Sequence, residues 1–198
     1  TLTKRLLLFS VLVMLLKFTN AQNFYVNDNS LTGDMMTTAV GNDANPGTVI
    51  APFRTIQHAI NTATAGSVIY IDAGTYNEKL VVNKTLTLQG LSETTTLLDG
   101  VGLGVGSGIY INSGITNVVI KFLTVRNHSG TGPNSYAGIY AAGNNNGIQV
   151  QTCTIKDNVG GSGFYANGPV NGVILNDLEI SGHNNSFGAA RGIVIWNG

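Results

Sequence analysis

The chain has 198 residues, of which ten are Lys or Arg and ten are Asp or Glu, so its formal net charge is zero. Zero net charge argues against nucleic acid or an anionic membrane as the main partner. Because 43% of the residues are hydrophobic, the chain can bury a core, and we expect one folded domain rather than a disordered segment.

Residues 1–21 have the pattern of a signal peptide. Lys4 and Arg5 precede an apolar run from Leu6 to Leu16, and small residues then precede an expected cleavage site before Gln22. The run is too short to span a bilayer comfortably, so no membrane span is expected after cleavage. The pattern predicts a secreted protein, either extracellular or at the cell surface.

Residues 22–66 are predicted to form an N-terminal cap segment. A short strand over 23–27 leads into a polar loop, and an amphipathic helix is predicted over 54–65, with Pro52 before it and Gly66 after it. We expect the apolar face of this helix to cover one end of the fold that follows.

Residues 67–198 change to a period of two and repeat one phrase. The phrase reads Gly108-Ile109-Tyr110-Ile111 and returns at 138–141, 163–166 and 192–195. A second apolar phrase follows each of the first three, starting at Val118, Ile148 and Val173. A fixed offset inside a repeat of variable length is typical of stacked coils, in which each turn buries the face of the next.

Alternation along these phrases places apolar side chains on one face and mostly polar side chains on the other. We therefore predict an all-β fold, a right-handed parallel β-helix (a solenoid) with three short strands per turn. Val118, Ile148 and Val173 are expected to stack inside it. Cys153, which has no partner for an internal disulfide, aligns with apolar positions and is predicted to be buried.

The chain starts with Thr1 rather than Met and stops at Gly198 partway through a repeat. We therefore expect the N-terminal part of a longer protein, with a coil that is truncated at its C-terminus. We also expect a monomer.

Several motifs between residues 23 and 90 carry a family resemblance. The turn at 41–48 (GNDANPGT), the segment at 51–57 (APFRTIQ) and Gly74-Thr75-Tyr76 resemble the opening of pectate-lyase-like right-handed β-helix proteins, a kind found among secreted and surface proteins of Bacteroidetes. That family includes polysaccharide lyases, pectin-type glycoside hydrolases, epimerases, adhesins and members without catalysis. The resemblance implies the fold and leaves the activity open.

A lyase of this kind needs a basic side chain that removes a proton beside a uronate carboxylate, often with bound calcium. Arg126 and Lys156, on adjacent rungs of one outward row, are the candidate catalytic residues. The alternative interpretation is a solvated face on which Glu179 pairs with Lys156. Calcium is retained as a candidate cofactor, although no residues are assigned as its ligands. No other cofactor is expected.

A ladder of outward tyrosines is predicted on successive turns, formed by Tyr110, Tyr140 and Tyr165. Stacked rings stabilise a coil, and they also offer a flat surface on which a sugar ring can lie. These tyrosines and Glu179 are the candidate carbohydrate-binding residues.

Other chemistries fit the sequence less well. Gly182-His183-Asn184 lacks the last glycine of the Gly-His-Gly motif found in pectin-type hydrolases, and no Asp-Asp pair is present. His128 and His183 would lie two rungs apart, too far to share a zinc ion easily. Asn42, Asp43 and Asn45 fit Asx-turns better than a calcium site.

Two functional hypotheses remain. The first is a secreted or cell-surface β-helix that engages polysaccharide, as a binding module or as a polysaccharide-lyase-like enzyme acting on uronic-acid polymers. The second is a structural or adhesin stalk without catalysis.

Overall fold

A computed structural model describes residues 20–130, 137–184 and 191–196 of the chain, so nearly all of the predicted signal peptide lies outside the described residues. Within these ranges the chain is mostly β-strand, with one short helix. No helix in this part of the chain is long and apolar enough to cross a membrane.

The strands pile up in three parallel stacks, which confirms the predicted parallel β-helix. The first stack holds β4 (Leu80–Val82), β7 (Ile109–Ile111), β10 (Ala137–Ala141), β13 (Ser162–Asn167) and β16 (Arg191–Trp196). The second holds β1 (Asn23–Val26), β2 (Ser67–Ile71), β5 (Leu86–Gly90), β8 (Val119–Lys121) and the first halves of β12 (Gln149–Lys156) and β15 (Ile174–Ser181). The third holds β3 (Gly74–Tyr76), β6 (Thr96–Asp99), β9 (Thr124–Arg126) and the second halves of β12 and β15.

Two further short strands, β11 (Asn145–Asn146) and β14 (Val170–Asn171), pair at the bend that leads from the first stack to the second. The buried Asn145 side chain holds this bend, since its amide nitrogen donates to the carbonyls of Asn112 and Ile115 in the coil below.

The interior is lined by apolar rows, as the alternation predicts. Val118 and Ile148 are fully buried, and Val173 packs against the same core. The paired backbones support this register, because Gln149 donates its N–H to the Val118 carbonyl and Ile174 donates to the Ile148 carbonyl. The three side chains therefore follow one another inside the coil.

In the later coils, single residues with left-handed backbone form the corners. One corner row contains Phe122, Thr152 and Asp177, with φ values of 58°, 47° and 53°. A second contains Asn127 and Asp157, followed by Gly182. Asn, Asp and Gly tolerate this conformation, whereas Phe and the β-branched Thr adopt it rarely. The corner between the second and third stacks is therefore hard to predict from the sequence, because Phe122 and Thr152 are not typical turn residues.

The glycine of the repeated phrase is explained by a close approach across the coil. A Cβ atom on Gly138 would lie 2.5 Å from Ile155 Cγ2 and 2.8 Å from Asn158 Nδ2. A Cβ on Gly108 would likewise lie 2.8 Å from the His128 ring, and one on Gly163 would lie 2.8 Å from His183 Nε2. Strands of the first stack thus need glycine at this position, because the side chain that follows the third stack in the same coil occupies the space that a Cβ would take.

The helix, α1 (Ile56–Thr62), is shorter than the predicted 54–65. The Asp43 carboxylate accepts hydrogen bonds from the backbone N–H groups of Arg54 and Thr55, and Thr55 is an extended N-cap residue. At the other end, Lys84 Nζ donates to the carbonyls of Ile60 and Ala63 at 2.9 Å. Because of these long-range contacts, the helix begins later and ends earlier than the apolar pattern predicts.

The apolar face of α1 joins the core of the coil. Ile56, Ala59 and Ile60 are buried and belong to the main hydrophobic cluster, and the helix contacts β1, β2 and β4. The Glu78 carboxylate accepts hydrogen bonds from the N–H groups of Ile56 and Gln57, which satisfies donors of the first turn. That α1 closes the end of the coil remains a prediction.

Candidate functional site

The outward side of the third stack carries the predicted site residues in two rows, and we call this surface the outer face. Along the first row, Thr124 pairs with Thr154 and Thr154 pairs with Glu179. Along the second row, four residues follow one another in register: Asp99, Arg126, Lys156 and Ser181. Arg126 and Lys156 thus lie on adjacent rungs, about 4.8 Å apart at their backbones.

Arg126 has an anionic partner that the sequence analysis missed. Its Nε lies 2.8 Å from Asp99 Oδ2, and this is the ion pair found in the described part of the chain. Asp99 also accepts hydrogen bonds from Asn127 Nδ2 and from the backbone N–H of Val101. Burial alone would raise the pKa of Asp99, but these hydrogen bonds and the positive charge of Arg126 together lower it.

Lys156 lies above Arg126 without an ion-pair partner among residues 20–130, 137–184 and 191–196. Glu179 does not form the diagonal pair with Lys156 that a simple solvated face would contain, because its carboxylate instead accepts from Ser181 Oγ at 3.2 Å. The outer face therefore presents one partly neutralised cation and one unpaired cation on successive rungs.

A cleft of about 260 Å³ opens beside these cations, at the corner between the second and third stacks. Its lining combines carboxylates and hydroxyls: Glu93, Thr94, Thr152, Thr154, Asp177 and Glu179. Glu179 was predicted as a sugar contact, whereas the contribution of Glu93 was not predicted. Glu93 precedes β6 in a loop outside the repeated phrases, so no periodic signal marked it.

Cys153 lies against the same cleft but faces the core. The residue is buried, as predicted, and burial raises the pKa of its thiol to about 11. The thiol is therefore protonated at neutral pH, which fits a packing role and not a nucleophilic one.

The tyrosine ladder forms on the outward side of the first stack. The Tyr110 and Tyr140 rings stack with centroids 5.3 Å apart, and the Tyr140 and Tyr165 rings stack at 5.4 Å. Tyr140 and Tyr165 are, however, only 7% and 3% exposed, so these two rings present little surface to a ligand. Their rings pack with Ala142 and Val194, and only Tyr110, at 37%, keeps substantial exposed surface.

The second corner stacks His128, Asn158 and His183. Asn158 connects its neighbours, since its Oδ1 accepts from the His128 N–H and its carbonyl lies 3.3 Å from His183 Nδ1. The His128 ring is buried, and within the described residues neither of its nitrogens has a hydrogen-bond partner of good geometry. Burial lowers the pKa of His128 to about 4, although the Leu98 carbonyl and the Asp99 charge act in the opposite direction.

The polar turn before the helix is occupied by structural hydrogen bonds. Asn42 Oδ1 accepts from the Ala44 N–H, Asn45 Nδ2 donates to the Pro52 carbonyl, and Asp43 holds the start of α1. These are the Asx-type contacts expected from the sequence. Across the described ranges, no group of three or more His, Cys, Asp or Glu side chains is placed to hold a metal ion.

Comparison with known proteins gives a family match and two distant similarities. The model of a family described as "Protein of unknown function (DUF1565)" matches residues 39–197. A Bacillus subtilis (strain 168) protein described as "Uncharacterized protein YwoF" is 32% identical over 130 residues, which is 60% of this chain and 26% of that protein. The chain thus spans about a quarter of the length of this curated relative.

Among solved structures, one described as "Rhamnogalacturonan lyase" is similar to 89% of this chain and 57% of its own. The TM-score is 0.49 and the sequence identity is 16%.

Proposed function

The chain belongs to the DUF1565 family, and we propose that its β-helix binds an acidic polysaccharide along the outer face of the third stack. Lys156 and Arg126 would contact the carboxylates of uronic acid residues, and Glu179 would accept hydrogen bonds from sugar hydroxyls. The observation that carries this proposal is the pair of cations on adjacent rungs beside an open cleft.

The electrostatics of the row favour an anionic ligand. Two cations on neighbouring rungs repel each other unless negative charge lies between or beside them. Asp99 supplies such charge to Arg126 through Nε, and the remaining N–H groups of the guanidinium can still bind a carboxylate. Lys156 receives no such compensation from the described residues, so a uronate carboxylate at this position relieves the repulsion.

Binding and catalysis assign different roles to the two cations. Arg126, fixed by Asp99, is suited to orienting a carboxylate. If the protein is a lyase, Lys156 is the better candidate for the base that removes the proton beside that carboxylate. We place binding first, because the described residues hold no carboxylate group arranged for the calcium ion that such lyases often use.

A structural stalk is the second candidate function, and the buried tyrosine ladder favours it. Tyr140 and Tyr165 are stacked but covered, so they stabilise the coil and do not present an open platform. A stalk without ligand predicts that no polysaccharide binds the outer face.

The experiment is a calorimetric titration with oligogalacturonate, repeated with the fully methyl-esterified form. We expect binding of the acid form that weakens as salt rises and is lost on esterification. Lys156→Ala should weaken binding about tenfold, whereas the matched control Lys121→Ala, on the outward side of the second stack, should change it little. Unsaturated products detected by ultraviolet absorbance would show a lyase.

If the wild-type protein binds no acidic polysaccharide, this result contradicts the proposal and favours the structural stalk. Equal weakening by Lys156→Ala and Lys121→Ala would contradict the assigned surface, since it would indicate binding by general charge alone.

We propose that the protein is located outside the cell or on its surface. The support is the signal-like pattern of residues 1–21. N-terminal sequencing of the protein from culture medium should give a chain starting at Gln22.

A further inference from the structure

The cleft at the corner of the outer face differs in charge from the row of Arg126 and Lys156 beside it. Its rim carries three acidic side chains, Glu93, Asp177 and Glu179, and no basic one. Its volume of about 260 Å³ is far above the ~10–15 Å³ that a single water needs, so it admits a ligand of several heavy atoms.

One hydroxyl in the lining of the cleft is free to bind such a ligand. Thr154 is only 8% exposed and lines the cleft, yet its hydroxyl forms no hydrogen bond with any residue in the described part of the chain. Its neighbour one rung below is satisfied, because Thr124 Oγ1 donates to the Glu93 carbonyl at 2.6 Å. Because the Thr154 side chain lines the cleft and its hydroxyl has no partner there among the described residues, the hydroxyl is available to a group that enters the cleft.

The chemistry of the rim selects the class of ligand. Ionised carboxylates accept hydrogen bonds and repel anions, so a uronate residue does not suit the cleft. The carboxylates are also not gathered into a metal-binding group among the described residues. A neutral sugar ring suits it, because every ring hydroxyl can donate to a carboxylate and one can exchange a hydrogen bond with Thr154.

The cleft lies next to the row that contains Arg126 and Lys156. Thr154 and Lys156 are two residues apart on one strand and face the same side, which separates them by about 7 Å. Resting on the proposed function of the outer face, we propose that this cleft binds one neutral sugar residue next to the uronate bound by Lys156. The preferred ligand is therefore a heteropolymer in which a neutral sugar neighbours a uronic acid.

The backbone at the cleft supports a fixed geometry. Thr152 and Asp177 are corner residues with left-handed backbone, so the positions of their side chains are set by the stacked coils and not by a loose loop. Unfavourable backbone conformations held by the surrounding structure are often found at binding sites.

The test compares two oligosaccharides of equal length by calorimetry: one built of hexuronate only, and one in which hexuronate alternates with a neutral hexose. We expect the alternating ligand to bind at least tenfold more tightly. Thr154→Val and Asp177→Asn, which preserve shape and backbone preference, should each reduce this ratio of affinities towards one. Lys156→Ala should weaken both ligands and leave the ratio in place.

A ratio near one for the wild-type protein, with both ligands bound, overturns the neutral-sugar cleft while the proposed function stands. A ratio that persists in Thr154→Val and Asp177→Asn likewise overturns it. Binding of neither ligand overturns the cleft and the proposed function together. Calcium binding that is lost in Asp177→Asn would also overturn it, because the cleft would then be a cation site.

Discussion

At the scale of single residues, His128 is a titratable side chain that folding removes almost completely from water. Its ring lies inside the corner of the coil, where the equivalent residue of the next turn is Asn158. Protonating the ring places a positive charge on a buried group. The Asp99 charge and the Leu98 carbonyl offset the cost of removing that charge from water only in part.

Burial of His128 makes the stability of the protein depend on pH. The pKa of His128 is about 4 in the folded protein and about 6.5 in the unfolded chain, so the unfolded chain takes up the proton first as pH falls. Stability is therefore lost as pH falls from 6.5 to 4, by about 3 kcal/mol at 1.36 kcal/mol per pKa unit. Urea unfolding across this range should show the loss in the wild type and a smaller loss in His128→Asn.

Asparagine is a suitable replacement because Asn158 already occupies the same corner one turn higher. Parallel stability curves for the two proteins between pH 7 and pH 4 would contradict the assignment.

Thr152 is a β-branched residue held in left-handed backbone, with φ of 47°. Left-handed backbone costs an ordinary L-residue about 1–2 kcal/mol, and Asn tolerates it better than a β-branched residue does. Thr152→Asn should therefore raise the free energy of unfolding by about 0.5–1 kcal/mol, measured by urea denaturation. The same change at Thr87, in ordinary strand backbone of β5, should lower it instead; a loss at both positions would contradict the idea of strain at the corner.

At the scale of elements, the coil depends on the glycine of its repeated strand. Gly138→Ala would place a Cβ against Ile155, Asn158 and the Gly163 carbonyl, all within 2.9 Å. Overpacking of this kind typically costs about 1–3 kcal/mol, so we expect a loss of that size in urea unfolding.

The matched control is Gly192→Ala, at the same place in the phrase. There the nearest atom to the new Cβ among the described residues is Ile180 Cγ2 at 3.6 Å, an ordinary contact. We expect no loss, or a gain of about 0.4–1 kcal/mol from reduced freedom of the unfolded chain. Equal losses at the two positions would show that the glycine is needed for backbone conformation and not for space.

The strands inside the repeats were predictable because alternation reports burial directly. The apolar rows of β8, β12 and β15 follow the pattern read from the sequence. The strand β6 was not predicted, since Thr96–Asp99 lies in a coil that lacks the repeated phrase. Asp99 was missed for that reason, although its place before a glycine in the third stack matches that of Arg126 before Asn127.

Boundaries and exposure depended on contacts far apart in sequence. The ends of α1 are set by Asp43 and Lys84, which the helical pattern does not contain. The burial of Tyr140 and Tyr165 also depends on the side chains that pack against them, which include Val194 on the next turn. Alternation separates inside from outside, but it does not show what covers an outward side chain.

At the scale of the whole molecule, the parallel coil turns each repeat position into a continuous row. The inward rows form the core. On the outer face, one row carries charges in the fixed order Asp99, Arg126 and Lys156. A ligand with a regular repeat is suited to such a surface, because its groups can meet side chains on successive rungs. This geometry links the repeat architecture to the proposed binding of a polymer.

The most direct measurement is an NMR titration of the labelled protein with oligogalacturonate. We expect the resonances that move to belong to the outer face, above all to Arg126, Thr154 and Lys156, and those of Tyr110 and Lys121 to stay in place. Shifts confined to the tyrosine ladder, or the absence of any shift at ligand concentrations in the millimolar range, would contradict it.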